Sequence, residues 1–274
     1  MTGVAGSVGP APSLAVLRLR LRSGAALLAA SLVGLAAFCW PLLDPSFLGS
    51  HSADAPWVFV ALLPLCLAVV FAELSDGGFD AKTVAVLGIL AGVDAALRPL
   101  SGGGTGFTFV YLLIICGGRV FGRGFGFSLG ALSLFASALL TAGVGPWLPF
   151  QMVGAGWVGL GAGCLPRARG RAELGLLAVY GAAAALLYGA LLNLSFWPFA
   201  HYYPAQIAFL PHGSVATNLL HWWRFDITTS LGFDIPAAVG NVVLLLVLGR
   251  PVLIALRRVT RRAAFDAPVE MTAG

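Results

Sequence analysis

The chain has 274 residues, of which 59% are apolar and only 10% charged, and its mean hydropathy is +0.92. So little polar surface cannot solvate a globule of this length, which excludes a water-soluble domain. The formal net charge of +5 reflects basic residues that cluster in loops, so it points to membrane topology and away from nucleic acid.

Apolar stretches of roughly 16 to 22 residues run without the period-two alternation of barrel strands, so the fold class is an all-α polytopic bundle. Eight spans are predicted: 24–43, 57–74, 82–98, 107–118, 124–142, 148–165, 174–194 and 236–256. The first follows Arg18, Arg20 and Arg22 and has the outline of a signal peptide. It ends at Trp40 and Pro41 without a small-x-small cleavage site, and Phe38 before Cys39 does not suit a lipoprotein, so a retained span is expected.

The third span carries small residues at four-residue spacing: Ala81 and Ala85, Gly88 and Gly92, Ala91 and Ala95. Gly126 and Gly130 continue the theme on the fifth. Such rows let helix backbones approach closely, within one chain or against a partner. Ala81 and Ala85 begin at the predicted cytoplasmic end, which favours docking of a partner helix. The fourth span is too short for a perpendicular crossing and must tilt, thin the bilayer or re-enter. Gly122 and Arg123 are expected to turn it into the fifth.

With the N-terminus inside, nearly every basic residue falls on the inner side, from Arg18, Arg20, Arg22 and Lys82 through Arg119, Arg123, Arg167, Arg169 and Arg171 to Arg250, Arg257, Arg258, Arg261 and Arg262. Only Arg98 and Arg224 fall outside. An even number of spans with both termini cytoplasmic, in the cell membrane, is the expected topology.

Polar residues inside spans are expensive, roughly 2.5 to 3.5 kcal/mol for a carboxylate near a helix centre, so their depth is informative. Asp94, Gln151, Asn193 and Asn241 share one outward level, with Trp147, Trp197, Tyr188 and Phe150 at similar depth. Each alone also fits an interfacial aromatic belt or helix-to-helix hydrogen bonding, and Asp94 has Arg98 one turn on as an ion-pair partner. Their common depth favours an outward-facing pocket.

The connection from 195 to 235 carries FWPFAHYY, LPHG and HWWRFD, too apolar for disorder, and is expected to act as a lid with a short amphipathic helix at 216–225. His201, His212 and His221 lack ligand spacing, and Cys39, Cys66, Cys116 and Cys164 lie alone in different spans, so no metal or cofactor is assigned. There is no GxxxxGK[ST] phosphate loop, GxSxG or HExxH. Gly122, Gly124 and Gly126 echo a dinucleotide fingerprint, but no strand precedes them and helix packing explains them better.

The stretch FVYLLIICGGRVFGRGFGFSLGALSLFASALLTAGVGPWLPFQMVGAGWVGLGAG resembles the S components of energy-coupling factor vitamin transporters, of the actinobacterial type. Its pattern is an apolar helix closing on a glycine turn, a glycine- and alanine-rich helix, and a GPWLPFQM turn into the next span. The resemblance implies a six-helix core over 81–258; this chain departs from the family in an additional pair of helices that, with an N-terminal tail, occupies 1–80, and a cytoplasmic tail follows over 259–274. It further implies a subunit, not itself an enzyme, that binds a vitamin-like small molecule from outside and works with a transmembrane coupling protein and two ATP-binding-cassette ATPase subunits. An AxxxA row on the first core helix would dock the coupling protein, and Ala81, Ala85, Ala91 and Ala95 occupy that helix. The expected substrate-binding residues are Asp94, Trp147, Gln151, Tyr188, Asn193, Trp197 and Asn241. Aromatic residues at the mouth suit a ring-bearing vitamin such as a corrinoid or flavin. The alternatives are a proton-coupled secondary transporter using Asp94, and a membrane enzyme using the outer histidines with Asp226 or Asp234.

Overall fold

The computed structural model describes residues 21–43, 64, 67–68, 81–101, 108–199 and 203–263. Regular structure among them is entirely helical: α1 Leu21–Phe38, α2 Trp40–Leu43, α3 Ala81–Leu97, α4 Val110–Phe121, α5 Arg123–Leu140, α6 Leu148–Cys164, α7 Gly170–Phe196, α8 Val215–Thr229 and α9 Leu231–Ala263. Short 3-10 turns, Arg98–Leu100 and Trp197–Phe199, extend α3 and α7. Four segments, Ala81–Leu100, Arg123–Leu140, Gly170–Phe199 and Leu231–Arg261, are long and apolar enough to cross a membrane, and Gly24–Phe38 and Val110–Phe121 are shorter apolar helices. Composition and these helices together describe an all-helical membrane protein. The predicted span 57–74 lies outside the described residues except at 64 and 67–68, and so does the tail from 264 onward.

The short fourth helix sits at the centre. Packed by α5, α6 and α9, α4 has 12 residues, and all but Leu113 are buried. Its apolar surface is therefore covered by protein, which removes the demand for a full lipid-spanning length. Gly122 has φ 106°, a backbone state that a side chain disfavours, and it carries the chain directly from α4 into α5.

Glycines set the closest helix contacts. Gly118 of α4, Gly126 of α5 and Gly159 of α6 meet backbone to backbone, and a Cβ on any of them would fall on a neighbouring main chain. Gly130 stands in the same way against the Ala155 carbonyl. The predicted row at Gly126 and Gly130 thus packs inside the chain, as the seam of the most extensive helix pair, α5 with α6.

The small residues of α3 divide between two faces. Ala91 and Ala95 are 5% and 1% exposed and pack within the bundle. Ala81, Ala85, Gly88 and Gly92 are exposed, and a Cβ at Gly88 or Gly92 would meet nothing. The docking row expected at Ala81, Ala85, Ala91 and Ala95 is therefore not one surface. At 100° per residue, Ala91 and Ala95 turn with Leu87 and Asp94 toward the core.

Helix α1 is integrated with this bundle. Phe38 is fully buried against Phe150 and Trp157, with ring centroids at 5.1 and 5.4 Å. Trp157 Nε1 donates to Ser31 Oγ at 3.0 Å, and Trp40 Nε1 donates to the Ser195 carbonyl at 3.1 Å.

The long connection holds α8, a slightly longer version of the helix predicted at 216–225. Ser214 caps it by accepting the Thr217 N–H at 3.1 Å. Asn218 clamps Leu210 through both main-chain groups, at 3.0 and 2.9 Å. His221 Nδ1 lies 2.8 Å from the Ala208 carbonyl. These bonds give the segment an internal scaffold despite its irregular path.

Candidate functional site

The antiparallel helices bring charged groups to two opposite ends. At one end Arg119, in the last turn of α4, donates from Nε to Glu173 Oε1 of α7 at 2.8 Å. Arg257 Nη2 of α9 donates to the same oxygen at 2.7 Å. Arg119 also donates to the carbonyls of Leu165 and Ala168 at 3.0 and 3.5 Å, tying in the connection between α6 and α7. The Arg119 and Glu173 side chains are each 3% exposed. A desolvated guanidinium is tolerable there because its donors are answered by a carboxylate and two carbonyls.

At the other end a cavity of about 340 Å³ opens between α3, α4, α5, α6, α7 and α9. Its polar lining includes Arg98, Tyr111, Gln151, Tyr188, Asn193 and Asp234, and its apolar lining includes Val110, Leu134, Leu192 and Phe233. Arg98 stands where α3 passes into its 3-10 turn, and its guanidinium donates to Gln151 Oε1 at 3.2 Å and Ser137 Oγ at 3.5 Å. Tyr111 and Tyr188 meet edge to face with centroids 5.5 Å apart, and neither hydroxyl has a hydrogen bond among the described residues. Gly154 makes room for the Tyr188 ring on α6, since a Cβ there would press on it at 2.9 Å. Asn193 Nδ2 donates to Asp226 Oδ1 at 2.7 Å and to Ser230 Oγ, joining α7 to α8 and the turn before α9. Asp234, in the first turn of α9, rests its carboxylate on Gly189 of α7, where a Cβ would displace it.

Of the residues expected to bind substrate, Gln151, Tyr188 and Asn193 line this cavity together. The other four lie elsewhere. Asp94 is 0% exposed inside the bundle, facing Ser133 of α5, without a hydrogen bond of standard geometry to any described residue. It makes no ion pair with Arg98, because the turn after Leu97 directs the guanidinium to α5 and α6. Trp147 is 43% exposed and folds back on its own turn, donating to the Gly143 carbonyl at 3.1 Å. Trp197 is 1% exposed and forms the pillar of the long connection, donating to the Ile207 carbonyl at 2.6 Å and packing edge-on against Phe209. Asn241 bonds α9 to α7 through the Gly181 carbonyl at 3.2 Å. Depth read from the sequence does not say which way a helix faces, and for Asn241 the depth itself differs, because α9 begins at Leu231 and carries Asn241 inward to the level of Gly181 of α7.

Arg98, Tyr111 and Asp234 enter the cavity without having been assigned to it from the sequence. The signal for Arg98 was present, since it was one of two basic residues on the wrong side of the charge pattern. Among the described residues no group of three His, Cys, Asp or Glu gathers as a metal site.

No family model, curated protein or solved structure matches this chain.

Proposed function

We propose that this protein is the substrate-binding membrane subunit of an energy-coupling-factor-type importer for a vitamin or related micronutrient, with the cavity at the Arg98 end as its ligand site. The observation that carries the reading is that cavity: a half-enclosed space in an apolar bundle, into which polar side chains converge from several helices. The resemblance of the 105–165 stretch to S components supplies the class. The missing phosphate loop fits a subunit that borrows its ATPases, and the work is binding and reorientation without chemistry.

The topology completes the proposal. Eight spans put both termini in the cytoplasm and the cavity outside, with the basic Arg119 end inside as the charge rule requires. The coupling protein docks on the exposed small-residue face of α3, at Ala81 and Ala85 with Gly88 and Gly92. Reconstitution with a coupling protein and its two ATPases should give ATP-dependent uptake of the molecule that copurifies with the chain. Absence of both a copurifying ligand and any association with a coupling protein would sink the reading.

Asp94 favours a second reading, since a buried carboxylate that faces Ser133 without a hydrogen bond of standard geometry to any described residue suits a proton-coupled carrier. Uptake driven by a proton gradient with no ATPase present, and abolished in Asp94→Asn, would establish that reading instead.

A further inference from the structure

We propose that the cavity is built for a compact amphoteric molecule, whose anionic group meets Arg98 and whose cationic group meets Asp234, with an apolar body against the Tyr111–Tyr188 pair. This rests on the cavity being the ligand site of the importer subunit, and narrows its cargo to a charge class.

Among the described residues, Arg98 is held only by neutral groups, the Gln151 amide oxygen and the Ser137 hydroxyl. These orient the guanidinium, and no described carboxylate pairs with its charge. Asp234, in the same lining, accepts no hydrogen bond on its carboxylate from any described residue. A second carboxylate, Asp226, stands close enough to act on it electrostatically, from behind Asn193. That corner therefore carries excess negative charge, and a cation is the group that relieves it.

The two opposite charges share one cavity without pairing. The ion pairs among the described residues, Arg119 with Glu173 and Arg257 with Glu173, are both at the other end of the bundle. A partly desolvated charge without a counter-charge is unfavourable, and a bound molecule carrying both signs answers the two at once. Tyr111 and Tyr188 line the same cavity as both charges, so a molecule bound there meets the phenol pair. The two unbonded phenols then offer a donor and an acceptor to its middle. At about 340 Å³ the space is at the small end of ligand sites, which suits a single small ring system and not a corrinoid.

The test uses the full-length chain in lipid nanodiscs, titrated with 4-(aminomethyl)benzoate, benzoate and benzylamine. The amphoteric probe should bind about tenfold or more tightly than either singly charged one, since a charge-assisted hydrogen bond is lost in each comparison. Arg98→Gln should erase its advantage over benzylamine, and Asp234→Asn its advantage over benzoate. Because the two substitutions must act on different comparisons, a general loss of folding cannot imitate the result. Equal binding of all three probes, no binding of any, or the same loss in both variants overturns the proposal. The importer reading fails separately: charge preference without ATP-dependent uptake sinks only that reading, and uptake of a copurified ligand lacking either charge sinks only this one.

Discussion

The two ends of the bundle treat charge in opposite ways. At the Arg119 end, a carboxylate and two guanidinium groups bond to one another and to main-chain carbonyls, so the charges are answered within the fold. At the Arg98 end, a guanidinium and a carboxylate face the same cavity, and no described residue pairs with either. The first arrangement holds three helices in register. On the proposed function, the second leaves electrostatic work for a bound molecule, and the contrast then distinguishes a structural ion network from a ligand site.

Removing charge should therefore have opposite consequences at the two ends. Glu173→Ala leaves Arg119 buried and unpaired, so a loss of about 3–5 kcal/mol in stability is expected, read by chemical denaturation in detergent. Asp234→Asn, at the cavity, removes a partly buried carboxylate that has no counter-charge among the described residues and stands near Asp226, so the same measurement should not fall and should rise if it moves. If the two variants lose equal stability, the distinction between the ends fails. Arg257→Gln provides the intermediate case. Its side chain is 34% exposed, solvent screens its share of the network, and about 1 kcal/mol or less should be lost.

A smaller perturbation tests how the cavity charge is positioned. Gly189→Ala puts a methyl group where the Asp234 carboxylate rests, so the carboxylate must swing away from its wall. Ligand affinity should fall by about tenfold, the scale of one charge-assisted hydrogen bond, while the denaturation midpoint changes little. An unchanged affinity would remove Asp234 from the binding surface.

The sequence made the bundle legible through two signals: continuous apolar runs and small residues at four-residue spacing. It also placed the turn at Gly122 and Arg123 and the helix around HWWRF. What it could not supply was helix rotation. Gln151, Tyr188 and Asn193 line one cavity, whereas Asn241 lies several turns deeper against Gly181 of α7, and Trp197 turns to the long connection. The same limit divided the α3 row. Ala85 and Ala91 are six residues apart, about 600° around the helix, so they cannot lie on one stripe. Arg98 and Asp234 escaped for a different reason: they lie at helix ends, where a charge reads as a boundary marker until the neighbouring helices are in place.

The two faces of α3 offer the finest test, because one helix carries both kinds of small residue. Ala91→Leu forces a larger side chain into a packed interior and should cost about 1–3 kcal/mol, with ligand binding falling only as far as folding does. Gly88→Ala meets open space and replaces the more flexible residue, so stability should rise by roughly 0.5–1 kcal/mol. Ala85→Leu, also on the open face, should leave both stability and ligand binding unchanged and abolish ATP-dependent uptake, since a bulky side chain keeps a partner helix from close approach. Uptake that survives Ala85→Leu moves the docking surface off α3, whatever the cavity binds.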